Sequence, residues 1–197
     1  MPLPGPVPGG RRTAKKARRS TSKARRTTAR KTAKVTPFPA GFRTVTPYLA
    51  IDGAEKALEW YKRAFGAKEV DRRYGPGGLL LHARIKIGDS TVMMSDIFPG
   101  SVHKSPLELG AASVTLHIYT KDVDRAWHQA IDAGAKVDMP LQDTFWGERY
   151  GQIRDPFGHA WSISMRTASL TPKQMDEMAK AAMAQFEKGE HPGYQSS

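Results

Sequence analysis

The chain has 197 residues, a formal net charge of +12 and no cysteine. The missing cysteine excludes disulfides, thiolate nucleophiles and thiolate metal sites, as fits a reducing compartment. No apolar run approaches the roughly 18 residues of a membrane span and no signal-peptide core follows Met1, so a soluble, cytoplasmic protein without membrane contact is expected.

The charge is unevenly placed. Residues 1–51 hold thirteen Lys/Arg and no acid, which leaves eighteen bases against nineteen acids in the remainder. Residues 1–10 are rich in Pro and Gly, and residues 11–34 mix bases with Ala, Ser and Thr. With no large apolar side chain to bury, nothing offsets the entropy of ordering, so a disordered tail is predicted. Three readings of it are open: a solubilising linker, an organelle transit peptide, or a tether for DNA or RNA. A tether would use Arg11, Arg12, Lys15, Lys16, Arg18, Arg19, Lys23, Arg25, Arg26, Arg30, Lys31 and Lys34, since clustered bases bind phosphates by releasing counterions and need no fold. The tether would add nucleoid association to the expected location.

Residues 43–51 alternate, with Val45, Pro47, Leu49 and Ile51 opposed to Thr46, Tyr48 and Ala50, and predict a strand with an edge or bulge at Pro47. Residues 53–65 carry a helical stripe of Ala54, Ala57, Leu58, Tyr61 and Phe65, stopped at Gly66. Strands follow at 68–74, 80–87 and 91–96. After a connector the pattern returns, with a strand at 113–119, a helix capped by Asp122 and ended by Gly134, and strands at 135–139, 145–154 and 160–165. The last two flank Asp155-Pro156-Phe157-Gly158, which has the chemistry of a type I turn. Thr171 and Pro172 open a final helix to 188, whose stripe of Met175, Met178, Ala179, Ala182 and Phe186 would cover its own sheet or dock on a partner chain.

The halves overlay. Ala57 matches Ala126, Gly66 matches Gly134, Gly88 matches Gly158, and each first-helix glycine runs into Ala-Lys. An internal duplication of one βαβββ unit is predicted. The fold class is α+β, divided as a tail and linker (1–41), a first module (42–97), a connector (98–111), a second module (112–166) and a C-terminal helix and tail (167–197).

Ala57-Leu58-Glu59-Trp60-Tyr61, Phe65-Gly66-Ala67, Trp146-Gly147 and Asp155-Pro156-Phe157-Gly158-His159-Ala160-Trp161 resemble the vicinal oxygen chelate (glyoxalase/bleomycin-resistance) superfamily. The nearest branch in motif is the PhnB-like, demethylubiquinone-methyltransferase-like one. The resemblance covers about residues 42–188. It implies an open barrel with concave faces that share a pocket, and a homodimer. In metal-dependent members the first and last strand of each module supply His or Glu to the metal. Counted from the motifs, those positions hold Thr46, Val92 (or Met94), Thr115 and Ser162, none of them a strong ligand, so no metal and no cofactor are expected.

Tyr48, His82, Arg84, His117, Trp146, Glu148 and Tyr150 are the candidate ligand-binding residues. In the functional reading His117 is a base or anchor, Arg84 clamps an anion, Tyr48 donates a hydrogen bond, and Trp146 with Glu148 and Arg149 suits a planar or zwitterionic ligand. In the plain reading they are packing residues and rim ion pairs, with Lys86 on a solvated face. His159 reads as a turn residue, Trp161 as core, and Asp96 as a pocket acid or a strand end. The expectation is a metal-free small-molecule binder with a basic tail. The alternatives are a metal-dependent lyase, isomerase or dioxygenase of the same superfamily, and a nucleoid-associated protein whose domain only dimerises. The sequence names no catalytic residue.

Overall fold

The computed structural model describes residues 36–188. The predicted tether and its twelve basic candidates lie outside the described residues. The first module contains β1 (Tyr48–Ile51), α1 (Ala54–Phe65), β2 (Lys68–Tyr74), a one-turn 3-10 helix (Pro76–Gly78), β3 (Leu80–Ile87) and β4 (Ser90–Asp96). A short helix, α2 (Pro106–Leu109), interrupts the connector. The second module contains β5 (Thr115–Tyr119), α3 (Val123–Asp132), β6 (Lys136–Asp143), β7 (Glu148–Arg154) and β8 (Ala160–Arg166), and α4 (Pro172–Glu187) ends the described chain. The two four-stranded sheets have the same order, β1-β4-β3-β2 and β5-β8-β7-β6. In each, the first strand pairs in parallel with the last, as its helical crossover requires, and the other ladders are antiparallel. The duplication is therefore structural, and the α+β class holds.

Period-two alternation divides each sheet into a face packed on the helices and an open one. Leu49, Ile51, Ala83, Ile85 and Met94 are buried from the first sheet, and Ile153, Trp161 and Ile163 from the second. They form one core with Ala57, Leu58, Trp60 and Tyr61 of α1 and Val123, Trp127 and Ala130 of α3. The helices also bridge the modules by hydrogen bonds. The Trp60 indole donates to the carbonyl of Ala133 at 2.8 Å, and the Gln129 amide donates to the carbonyl of Arg63 at 2.6 Å.

The Asp155 turn ties the halves together. Gly158 N–H donates to the Asp155 carbonyl at 3.0 Å, and the buried carboxylate accepts from the backbone N–H groups of Phe157 and His159, both at 2.9 Å. Its other oxygen accepts from the Tyr61 hydroxyl at 2.7 Å and the Trp161 indole at 2.9 Å. Burial, and then the charge of Asp155, hold the Tyr61 phenol well above its ordinary value. The motif that is most prominent in sequence is thus a structural clasp. Trp161 is core, and His159 fixes the turn, as expected.

Several element boundaries differ from the sequence reading. β1 begins at Tyr48 rather than residue 43, because Pro47 has no N–H to give the ladder; its carbonyl accepts from Met93 instead. β6 runs to Asp143 through Pro140, which an edge strand tolerates. β7 starts at Glu148, after a turn closed by Thr144 and Gly147. Ser105 caps α2 by accepting from Glu108 N–H at 3.2 Å. α4 opens on a reciprocal cap in which Thr171 Oγ1 accepts from Gln174 N–H while Gln174 accepts from Thr171 N–H. No described side chain of α4 is buried; Met175, Ala179 and Ala182 of its stripe are half-buried and Met178 is exposed. No helix among the described residues is long and apolar enough to cross a membrane.

Candidate functional site

The repeat places the candidate residues in equivalent positions on the open faces. Tyr48 of β1 pairs with Met93 of β4, and His117 of β5 pairs with Ser162 of β8. Two strands further in, His82 of β3 and Tyr150 of β7 complete each set. The Tyr48 and His82 ring centroids are 6.0 Å apart, and those of His117 and Tyr150 are 5.9 Å apart, so the same pair recurs with Tyr and His exchanged.

The two faces differ chemically. On the first, Arg84 forms an ion pair with Asp71, its guanidinium lies 5.1 Å from the Phe42 ring centroid, and His82 Nε2 is 3.9 Å from the same carboxylate. Arg84 is already neutralised and covered, which removes the free anion clamp expected from sequence. Asp96 is structural, accepting from the N–H groups of Ala54 and Leu80, each at 2.7 Å.

On the second face Glu148 is a hub. Oε1 accepts from the Tyr119 hydroxyl at 2.7 Å, and Oε2 accepts from Ser164 Oγ at 2.7 Å and the Trp146 indole at 3.2 Å. Partial burial disfavours its charge, but these three donors and the neighbouring His117 outweigh that and hold the carboxyl below its ordinary value. The same bond raises the Tyr119 phenol. His117 Nδ1 lies 2.7 Å from Ser162 Oγ, and its ring stands edge-on to Tyr119 with centroids 4.4 Å apart. Trp146 meets Tyr150 edge-on at 5.5 Å, and Tyr150 accepts from the Gln152 amide at 2.7 Å. Serines at 162 and 164, between the aromatic strands, leave the rings room to meet across β8. Tyr119 and Ser164 were missed in sequence. Their period-two phase with His117 and Ser162 was the available signal.

Two sequence assignments are corrected. Arg149, one residue from Glu148, points to the opposite face and forms a two-pronged ion pair with Asp124 of α3. It does not share a ligand site with Glu148. The seven candidates also do not line one cavity. A cleft of about 590 Å³ contains His117 with Thr46, Thr91, Thr115 and Tyr119, whereas Tyr48 lines a separate cavity of about 470 Å³ with Asp96 and His103. The cleft opens where β1 is too short to pair with the start of β4 at Ser90–Val92.

The metal positions shift as well. Thr46 precedes β1 and donates to the carbonyl of Arg43 at 3.0 Å; Val92 lies opposite Ile85 and is buried, as is Met94. Thr115 faces Ala160, so the cross-strand partner of Ser162 is His117. The facing positions on the first and last strands are therefore Tyr48, Met93, His117 and Ser162. One imidazole with a phenol, a thioether and a hydroxyl does not fit a site built from His and carboxylate. Among the described residues no three His, Cys, Asp or Glu side chains are grouped to hold an ion.

An uncharacterized protein of Mycobacterium bovis is 40% identical over 144 residues, covering 72% of this chain and 93% of its own. Protein YjdN of Escherichia coli is 26% identical over 144 residues, covering 61% of this chain and 94% of its own. The crystal structure of TioX from Micromonospora matches with a TM-score of 0.51 at 25% identity, covering 66% of this chain and all of that one. A model of the glyoxalase/bleomycin resistance protein/dioxygenase superfamily matches residues 43–163, the span of both modules. The chain belongs to that superfamily.

Proposed function

We propose that the protein binds a small organic molecule on the open face of the second sheet without using a metal. The observation that supports this most is the cluster of His117, Tyr119, Trp146, Glu148 and Tyr150, in which aromatic faces and one ionised carboxylate converge. Such a mixture of apolar faces with few, fixed polar groups is the ordinary make-up of a ligand site. The donor set at the first and last strands argues against the metal-assisted lyase, isomerase or dioxygenase reading, because a Lewis acid needs more than one strong ligand to stay bound. The first face is the weaker candidate, since Asp71 and Phe42 already occupy Arg84.

The test is a ligand screen on the full chain read by NMR. Binding should move the resonances of His117, Tyr150 and the Trp146 indole, and Tyr150→Ala should weaken it about tenfold. Adding Ni²⁺, Zn²⁺, Mn²⁺ or Fe²⁺ after chelation should leave the melting temperature unchanged, whereas a metal at 100 times its Kd would add about 2.7 kcal/mol. A clear, saturable rise would return the metal-dependent enzyme to the front.

The basic tail is proposed to hold this domain on DNA or another polyanion. Thirteen bases without an acid in residues 1–51 support that reading. Deleting residues 1–36 should abolish DNA binding, and the full chain's affinity should fall with salt by roughly 0.9 log units per log unit for each phosphate neutralised. Equal binding by the truncated and full chains would sink the tether. A homodimer remains part of the proposal, with sedimentation as its measure.

A further inference from the structure

We infer that the open face of the second sheet selects an organic cation, of the quaternary-ammonium or N-alkylated aromatic class. This rests on the ligand-binding reading above and adds the charge and type of the ligand. Three observations carry it. First, Glu148 forms no ion pair among the described residues, unlike Asp71, Asp124 and Asp138, each of which has an arginine partner. His117 lies near enough to favour this charge, and Arg166, opposite Glu148 on β8, donates to the Ala168 carbonyl and Ser169 Oγ instead, so neither cationic neighbour is bonded to the carboxylate. Second, three of the lone pairs of that carboxylate are occupied by Tyr119, Ser164 and Trp146. A carboxylate accommodates about four donors, so Glu148 attracts a positive charge while offering few sites to an N–H group. A primary ammonium with three donors would leave some of them unpaired, at a cost; an alkylated cation has none to satisfy. Third, the surrounding surface is aromatic. Tyr119 and His117 are exposed, Trp146 and Tyr150 are half-buried beside Glu148, and aromatic faces attract cations through the ring quadrupole. The hydrogen bonds to Glu148 also fix Tyr119 and Trp146, which pre-organises the ring walls.

Benzyltrimethylammonium is the probe, compared with benzyl alcohol and benzenesulfonate, in NMR titrations of the full chain. The readout is the Trp146 indole resonance, assigned with Trp146→Phe; the other three tryptophans are buried. The expected result is a saturable shift with the cation, at least tenfold weaker binding of the alcohol and no binding of the sulfonate. Glu148→Gln should weaken the cation about tenfold and leave the alcohol unchanged, with its melting temperature checked alongside. Equal binding of the alcohol, or a cation affinity unchanged in Glu148→Gln, overturns the cation inference but keeps a ligand site on this face. Binding of the sulfonate with shifts at Trp146 does the same. If none of the three probes moves Trp146, and screening also leaves His117 and Tyr150 unmoved, the site reading falls with it.

Discussion

At the scale of single residues, Asp155 and Glu148 show one chemistry put to two uses. Both are carboxylates held by several donors, but Asp155 is buried between the modules and Glu148 stands at an open face. Asp155→Ala strands the Tyr61 hydroxyl and Trp161 indole without their acceptor in the core, and each such group costs about 1–3 kcal/mol. Urea unfolding should therefore show a loss of about 3 kcal/mol or more, with the midpoint moved and the slope retained. pH acts through a neighbour of Asp155 and through Glu148 itself. Burial holds the His159 imidazole below its ordinary 6.5, against the pull of Asp155. As pH falls through 6.5 the unfolded chain takes up this proton before the folded one, so stability declines. Glu148 is also depressed, from an ordinary 4.5, so its contribution is complete above that value and is lost on further acidification. The melting temperature should fall in two stages from pH 7.5 to pH 3.5, and His159→Gln should flatten the first.

At the scale of elements, close approach sets the limits. Gly151 of β7 lies against the Trp127 ring of α3 and the backbone of Leu141, so an added Cβ would collide with both. Gly151→Ala should cost about 1–3 kcal/mol by overpacking, seen as a melting temperature lower by several degrees. Nothing in the alternation of β7 announces this glycine, because the requirement comes from a helix twenty-odd residues earlier. The alternation did reveal the strands, the helical stripes and the repeat. It also put Tyr48 and His117 on equivalent strand faces and His82 with Arg84 on a polar face, but it did not assign a face to Tyr150. It could not show that Asp71 and Phe42 would take up Arg84, or that Arg149 would pair with Asp124. Those are contacts between elements whose separation no local pattern encodes. Val92 was misplaced for a simpler reason: counting from Gly88 leaves the phase of β4 undetermined by one residue, and one residue reverses the face.

At the scale of the whole molecule, the two modules are copies in topology but not independent bodies. α1 belongs to the first by sequence, yet its Tyr61 and Phe65 pack on Trp161 of β8 with ring centroids 5.4 and 4.7 Å away. Each module alone would expose these rings. Residues 37–188 should therefore unfold in one transition, with calorimetric and van't Hoff enthalpies equal. The hydroxyl of Tyr61 reaching Asp155 across 94 residues has a further consequence. Cutting the chain in the connector between the modules would leave the clasp's donor on one fragment and its acceptor on the other. The halves would be obligate complements, each unfolded when separate and ordered when mixed. A single module could meet the same need only with a second copy of itself, the clasp then passing between two chains.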